Sequence, residues 1–206
     1  FMQKEKERLI NELIEYGYLK TKEIIDAFKK VPRENFVEED YRKHAYVNEP
    51  LPIRAGQTIS QPLTVAAMTE ALQPRKGSKI LEIGAGSGYQ AAILAETIGP
   101  SGIVITLERK SQLVEFARKN IEKSGYKNVK IVHSDGTDGW PKEAPYDRII
   151  VTAAAQEVPK ILINQLKHGR LVIPVNDKLF LIEKNKNVKE TFLGYYAFVP
   201  LLKGEE

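Results

Sequence analysis

Cysteine is absent from the 206-residue chain. That excludes disulfides, thiolate metal sites, iron–sulfur clusters and cysteine nucleophiles. Histidine is nearly as scarce. His44, His133 and His168 are widely spaced, no metal-ligand pattern links them, and each reads as a surface or core histidine. Long apolar runs are missing too. The longest uncharged stretch, Ala55–Thr69, contains Gln57, Ser60, Gln61 and Pro62 and is too polar to span a bilayer. No secretory leader pattern precedes it, and Met2, after Phe1, reads as the natural start. No sign of charge dominates: 31 basic residues face 27 acidic ones, for a net charge of +4. The first fifty residues carry 10 basic and 11 acidic side chains and the remainder 21 and 16, scattered rather than in blocks. That is a solvated, mixed-sign surface rather than a nucleic-acid footprint. The expectation is a soluble, cytoplasmic monomer with no metal and no nucleic-acid or membrane partner.

What is present is ordinary globular composition, 42% hydrophobic and 28% charged. The length fits one domain over 1–206, with a helical extension over 1–75 and a sheet core over 76–206. Leu9, Ile10, Leu13 and Ile14 make an apolar stripe at helical spacing, stopped by Gly17. Thr21 reads as the N-cap of a second helix carrying Ile24, Ile25 and Phe28, which Pro32 ends. From Lys79 the chain alternates. Strands are expected at 79–83, 103–107, 129–133, 147–152 and 170–175, and helices at 90–98, 111–124 and 159–166. Segments 178–183 and 191–199 then flank Asn185-Lys186-Asn187 as an antiparallel hairpin. The fold class is therefore α/β: a doubly wound, mostly parallel sheet of seven strands with a C-terminal antiparallel hairpin. Its ligand belongs at the carboxyl ends of the early strands, where strand order reverses.

Leu81-Glu82-Ile83-Gly84-Ala85-Gly86-Ser87-Gly88 lies between the first of these strands and a helix. Glycine there lets the backbone turn sharply and approach a ligand closely. Position 89 is Tyr, so the spacing is E-x-G-x-G-x-G and not the dinucleotide fingerprint. A carboxylate at Glu82 repels a pyrophosphate but suits a cationic ligand, such as a sulfonium bearing an α-amino group. Glu108 ends the next strand, where ribose hydroxyls need an acceptor. Asp135, before Gly136, ends the third and can accept from an adenine amino group. Three acids at successive strand ends, with no lysine in the turn, fit S-adenosylmethionine.

Gly56-Gln57-Thr58-Ile59-Ser60-Gln61-Pro62 is a second unusual stretch. Its bland reading is a helix start, with Ser60 as cap and Pro62 in the first turn. Taken with Leu81–Gly88, Ala144-Pro145-Tyr146-Asp147-Arg148-Ile149-Ile150-Val151-Thr152-Ala153-Ala154-Ala155 and Gly169-Arg170-Leu171-Val172-Ile173-Pro174-Val175, it resembles the protein-L-isoaspartate (D-aspartate) O-methyltransferase family. The similarity runs from about Gly17 to Leu201.

The resemblance implies a Rossmann-like, class I methyltransferase fold. It implies methyl transfer from S-adenosylmethionine to the free carboxylate of L-isoaspartyl, and D-aspartyl, residues in damaged proteins and peptides. The ester then closes to a succinimide, which starts repair. The family's active-site serine falls on Ser60. Its cofactor contacts fall on Gln57, Thr58, Glu82, Gly84, Gly86, Glu108, Arg109, Asp135 and Gly136, and its peptide contacts on Ile59, Val199, Pro200 and Leu201. The chemistry asks for little general-base help, because a carboxylate is already ionised at neutral pH. The alternative is a methyltransferase acting on RNA or a small molecule. Base-amino methylation commonly uses an N/D-P-P-Y/F-type motif after the fourth strand, and this chain has Val151-Thr152-Ala153-Ala154-Ala155 there. Two further rivals are a nicotinamide oxidoreductase, which lacks its third glycine here, and a binding module that has kept the fold.

Overall fold

The computed structural model describes residues 2–206. The amino-terminal stripe forms α1 (Met2–Glu15), with Leu9, Ile10 and Leu13 buried and Ile14 at its exposed margin. Gly17 ends it with φ +75°, and Tyr18 and Leu19 donate their N–H groups to the Leu13 carbonyl. In α2 (Lys22–Lys30), Ile24 and Phe28 are buried. Thr21 stands at the N-cap, but its side chain does not cap the helix. Its hydroxyl and its N–H both bond the Glu70 carboxylate, at 2.7 and 2.8 Å, so a residue far along the chain fixes this helix start.

Two short strands, β1 (Leu51–Pro52) and β2 (Thr58–Ile59), pair antiparallel and lead into α3 (Pro62–Leu72). The bland reading of Ser60 as a helix cap does not hold. The N-cap is Gln61, one residue later, with Pro62 at the first helical position. Asn48 supplies the cap from outside the helix: its Oδ1 accepts the Leu63 N–H at 3.0 Å, and its carbonyl accepts from the Gln61 side chain at 2.9 Å. The Ser60 hydroxyl is left out of helix termination.

The main sheet contains β3 (Lys79–Ile83), β4 (Ile103–Glu108), β5 (Val129–His133), β6 (Tyr146–Val151), β7 (Leu166–Val175), β8 (Lys178–Lys184) and β9 (Val188–Tyr195). Its order is β5-β4-β3-β6-β7-β8-β9, parallel through β7 and antiparallel over the last two pairings. The connections α4 (Tyr89–Ile98) and α5 (Ser111–Lys123) pack on one face, and α6 (Lys160–Gln165) on the other. The core on the first face joins Leu9, Ile24 and Phe28 to Ile80, Val104 and Leu181, so the amino-terminal helices share one interior with the sheet.

The bounds of β9, α6 and β7 depart from expectation. The seventh strand begins three residues before Thr191 and ends at Tyr195, four residues short of Val199. A register shift opposite Leu179 and Phe180 disturbs the ladder, and Tyr196 then bonds the Asp177 carbonyl at 2.9 Å in the turn. Freed from the sheet, 196–202 crosses toward β6. The helix expected over 159–166 keeps only Lys160–Gln165, because Leu166 already pairs with Tyr146 at the start of β7. Among the described residues, no helix is long and apolar enough to cross a membrane.

Candidate active site

The order reverses at β3, which has β4 on one side and β6 on the other. At the carboxyl ends of these strands lies a cavity of about 340 Å³, within the usual range for small-molecule sites of about 300–1,000 Å³. Four stretches of sequence meet in it: 56–60, 83–90, 107–110 and 199–202.

The floor is the glycine turn. Gly84 has φ +98°, and a Cβ there would collide with Thr152 Oγ1, which donates to the Gly84 carbonyl at 2.7 Å. Gly86 has φ +55°, and the nearest atom to an added Cβ would be Ile53 Cδ1 at 3.9 Å, so the turn is open where it faces the cavity. Gly88, also left-handed, starts α4, whose first turn brings Tyr89 and Gln90 into the wall. Gly136 lies close on Ile83, where a Cβ would strike Cγ2.

Glu108 lines the cavity and is held in place by two backbone donors, the N–H groups of Gly86 and Lys110, each at 3.0 Å. Each carboxylate oxygen keeps a lone pair for a further donor. Arg109 also lines the cavity, but its guanidinium faces the carboxyl-terminal segment, donating to the Gly204 carbonyl at 2.7 Å and pairing with Glu206 at 2.8 Å. Lys110 pairs with Glu206 as well, so the segment is strapped down beside the turn.

Two of the expected acids lie behind the wall and not on it. Asp135 is turned into local bonds: Oδ1 accepts the Thr137 N–H and hydroxyl at 2.8 Å, and Oδ2 accepts the Gly204 N–H at 2.6 Å. Partial burial raises its pKa, but these bonds outweigh that and hold it below the usual carboxylate range. Its neighbours Ser134 and Gly136 line the cavity instead. Glu82 is fully buried, and neither oxygen has a hydrogen-bond partner. Burial, with Glu108 adding to it, pushes its carboxyl up to about 8, so it is protonated at neutral pH. The alternation of β3 explains the placement: Glu82 points to the same face as Ile80, beneath the turn.

Gln57, Thr58, Ile59 and Ser60 form the opposite wall. Arg54 anchors their loop, pairing with Glu38 at 2.8 Å and lying 4.1 Å over the Phe116 ring of α5. Ile59 is buried. Ser60 is held by Arg33, which sequence reading did not single out. Arg33 is wholly buried, donates to the carbonyls of Ser60 and Ala45 at 2.9 and 2.8 Å, and stacks 4.9 Å over the Tyr89 ring. Burial lowers its pKa to about 10, still well above neutrality. A lone arginine after a proline carries no sequence signal; only the fold shows that it ties Ser60 to Tyr89. Val199, Pro200 and Leu201 complete the rim, since Ala154 donates to the Val199 carbonyl and accepts from the Leu201 N–H, both at 2.8 Å. Tyr89, Gln90 and Thr152 also line the cavity without having been singled out.

Where S-adenosylmethionine is concerned, the test is whether this wall fits it. The open glycine turn admits a close ligand, and Glu108 presents an acceptor at the strand end. The residues fit. Among the described residues, no group of three or more His, Asp or Glu is placed to hold a metal ion. A seven-stranded sheet with an antiparallel edge, and a glycine-floored cavity at its switch point, define a class I methyltransferase fold.

Comparison with known proteins sharpens that class. The family model Protein-L-isoaspartate(D-aspartate) O-methyltransferase (PCMT) matches residues 3–206. Protein-L-isoaspartate O-methyltransferase of Methanopyrus kandleri is 52% identical over 98% of this chain and 92% of its own length. The Ignicoccus hospitalis protein of the same name is 50% identical over 99% of this chain and 100% of its own. Among solved structures, one titled protein-L-isoaspartate O-methyltransferase superposes with a TM-score of 0.86 at 33% identity, covering 95% of this chain, which spans 65% of that one. A Plasmodium falciparum structure, titled a putative protein-L-isoaspartate O-methyltransferase in complex with S-adenosyl-L-homocysteine, gives 0.85 at 28% identity, over 96% of this chain and 98% of its own. The chain belongs to the protein-L-isoaspartate (D-aspartate) O-methyltransferase family.

Proposed function

We propose that this protein is an S-adenosylmethionine-dependent carboxyl methyltransferase that methylates the free carboxylate of L-isoaspartyl, and D-aspartyl, residues in damaged proteins and peptides. The observation that carries the proposal is one shared cavity. Its glycine floor and Glu108 suit a nucleoside-bearing ligand, while Ser60, Val199 and Leu201 offer a polypeptide one hydroxyl and an apolar rim. When bound, the cofactor supplies an electrophilic methyl group on a sulfonium.

The protein's own residues do the remaining work. Glu108, fixed by two backbone donors, accepts from ribose hydroxyls. Gln57 and Thr58 close over the ligand from the β2 side, Gly86 leaves it room, and Gly84 and Gly136 let the backbone lie close on Thr152 and Ile83. Glu82 and Asp135 act from behind the wall, one under the turn and one through Ser134 and Gly136. Ser60, its hydroxyl free of capping and its backbone held by Arg33, donates to one carboxylate oxygen and so aims the other. Fixing two reactants in line can supply about 7–11 kcal/mol of the barrier. The backbone nitrogen of the next residue then displaces methanol from the ester and closes a succinimide without help from the protein.

The test is methyl transfer from labelled cofactor to paired peptides that differ only in an aspartyl or isoaspartyl linkage. Label in the isoaspartyl peptide alone is the expected result. Equal labelling of both, or transfer to RNA or a small molecule with neither peptide labelled, overturns the reading.

A further inference from the structure

On the sheet face that carries Leu171, Ile173 and Ile182, helix cover stops short of the free edge. Helix α6 packs against β7 there, and Lys184 Nζ ties one end of β8 to it, donating to the carbonyls of Ile163 and Leu166 at 2.8 and 2.7 Å. Toward the other end, register sets Phe180 opposite Phe192, and Lys178 opposite Tyr195. The Phe192 ring lies 5.9 Å from Phe180 and 5.2 Å from Tyr195, centroid to centroid. Phe192 is 48% exposed and Tyr195 69%. An exposed ring cluster on an edge strand is a liability that soluble proteins ordinarily blunt, and the chemistry above makes no use of it.

Its position relative to the cavity is informative. Two antiparallel pairings separate β9 from β7, so β9 runs in the direction of β6 and β7. Its carboxyl end, Tyr195, therefore lies at the cavity's end of the sheet. The chain then leaves the strand and reaches the rim at Val199, where Ala154 holds it. The ring cluster and the rim are two ends of one segment. Strand order places β9 three spacings from β6, about 14–15 Å at ~4.8 Å each, and an extended peptide covers that in about four to five residues.

We propose that Phe180, Phe192 and Tyr195 form an accessory docking site for substrate polypeptide, taking an apolar or aromatic side chain about four to five residues from the isoaspartyl residue. The proposal rests on the isoaspartyl reading of the cavity. The damaged residue and its methyl donor share this one cavity, and the flanking chain runs outside it past the rim. Locally unfolded segments expose the apolar side chains that folded proteins keep inside. The cluster therefore favours damage in unfolded stretches.

The test uses the full chain and synthetic isoaspartyl peptides. One is too short to reach β9. Two longer ones carry a single Phe about five residues to the amino or to the carboxyl side, in a Gly/Ser background. An extended chain has direction, so one long peptide but not the other should show a KM roughly five- to tenfold below that of the short peptide, with kcat unchanged. In the Phe192→Ser/Tyr195→Ser double variant that advantage disappears, while kcat and KM for the short peptide stay as they were. Tyr195→Ser alone, at the more exposed position, should remove part of the advantage with an unchanged melting temperature. Equal KM values for all the peptides in the parent protein overturn the proposal, as does a loss that strikes short and long peptides alike. Dimerisation in sedimentation that the double variant abolishes also overturns it, assigning the cluster to a second copy. No transfer to the short peptide is a separate failure: it overturns the isoaspartyl reading itself.

Discussion

Ser60 is freed from capping by the fold, and Glu82 is turned away from the cavity wall. Asn48 and Gln61 terminate α3, so Ser60→Ala removes no cap and should change stability by less than about 0.5 kcal/mol, while Asn48→Ala should cost about 1 kcal/mol. If the Ser60 hydroxyl orients the carboxylate, single-turnover methyl transfer in Ser60→Ala should fall about 10- to 100-fold, at and below the low end for a lost transition-state donor because backbone donors remain. Chemical denaturation and rapid-quench assays on the two variants separate the roles. A full rate in Ser60→Ala would leave the hydroxyl without a catalytic task. Glu82 predicts a pH dependence of stability. In the unfolded chain its carboxyl ionises near the ordinary value of 4.5, and in the folded protein only near 8. Between those values the unfolded state holds fewer protons, so stability is full below the window, falls as pH rises through it, and levels off above. Glu82→Gln should lack this component. Urea midpoints measured from pH 5 to pH 9 should show the variant gaining on the parent by on the order of a few kcal/mol, with no further gain beyond the window.

At the scale of elements, the glycine turn forms the floor of the cavity and the carboxyl-terminal segment is strapped down beside it. Gly86 combines left-handed backbone with open space in front of it. Gly86→Val therefore meets two penalties. The backbone cost is about 1–2 kcal/mol, which a domain stable by about 5–15 kcal/mol survives. The branched side chain also fills the floor of the cavity. The sheet should still form by circular dichroism, while S-adenosylhomocysteine affinity by calorimetry drops at least about tenfold, or 1.4 kcal/mol. A folded variant with parental affinity would reduce the turn to a structural role. This turn was legible in sequence because each glycine answers a local demand: a left-handed φ at Gly84, Gly86 and Gly88. The strap was not. Gly204 and Glu206 carry no local pattern, and their bonds to Asp135, Arg109 and Lys110 join residues far apart in the chain. The end of β9 was misplaced for a related reason. Thr191–Val199 carries aromatic and β-branched residues on both sides of Tyr195, and the register shift and the bond from Tyr196 to Asp177 take its last residues out of the sheet.

Across the whole molecule, the cavity is assembled from segments near residues 57, 85, 108 and 200, so a ligand filling it ties the amino-terminal part, the sheet and the carboxyl-terminal strap together. A ligand binding only the folded state stabilises it by about 2.7 kcal/mol at a hundredfold excess over Kd. For a chain of this size that corresponds to roughly 5–11 °C in melting temperature, measurable by scanning calorimetry with S-adenosylhomocysteine. No shift at saturating ligand would separate this cavity from the cofactor.

Local sequence was enough to read the alternation of strands and helices, the glycine turn and the acid at the end of β4. Those are local patterns, with the periodicity of the apolar residues and the φ demands of a turn written into neighbouring positions. The tertiary structure alone decided which acids face the cavity. Glu82 and Asp135 lie at strand ends as Glu108 does, yet Glu82 turns into the face covered by α4 and α5, and Asp135 is taken up by Thr137 and Gly204. It also decided that Arg33 holds Ser60, that Asn48 caps α3, and that the rings of β9 stand on the side of the cavity rim. Each of these joins positions distant in the chain, and orientation across a packed sheet depends on every element that buries it, which no single stretch of residues encodes.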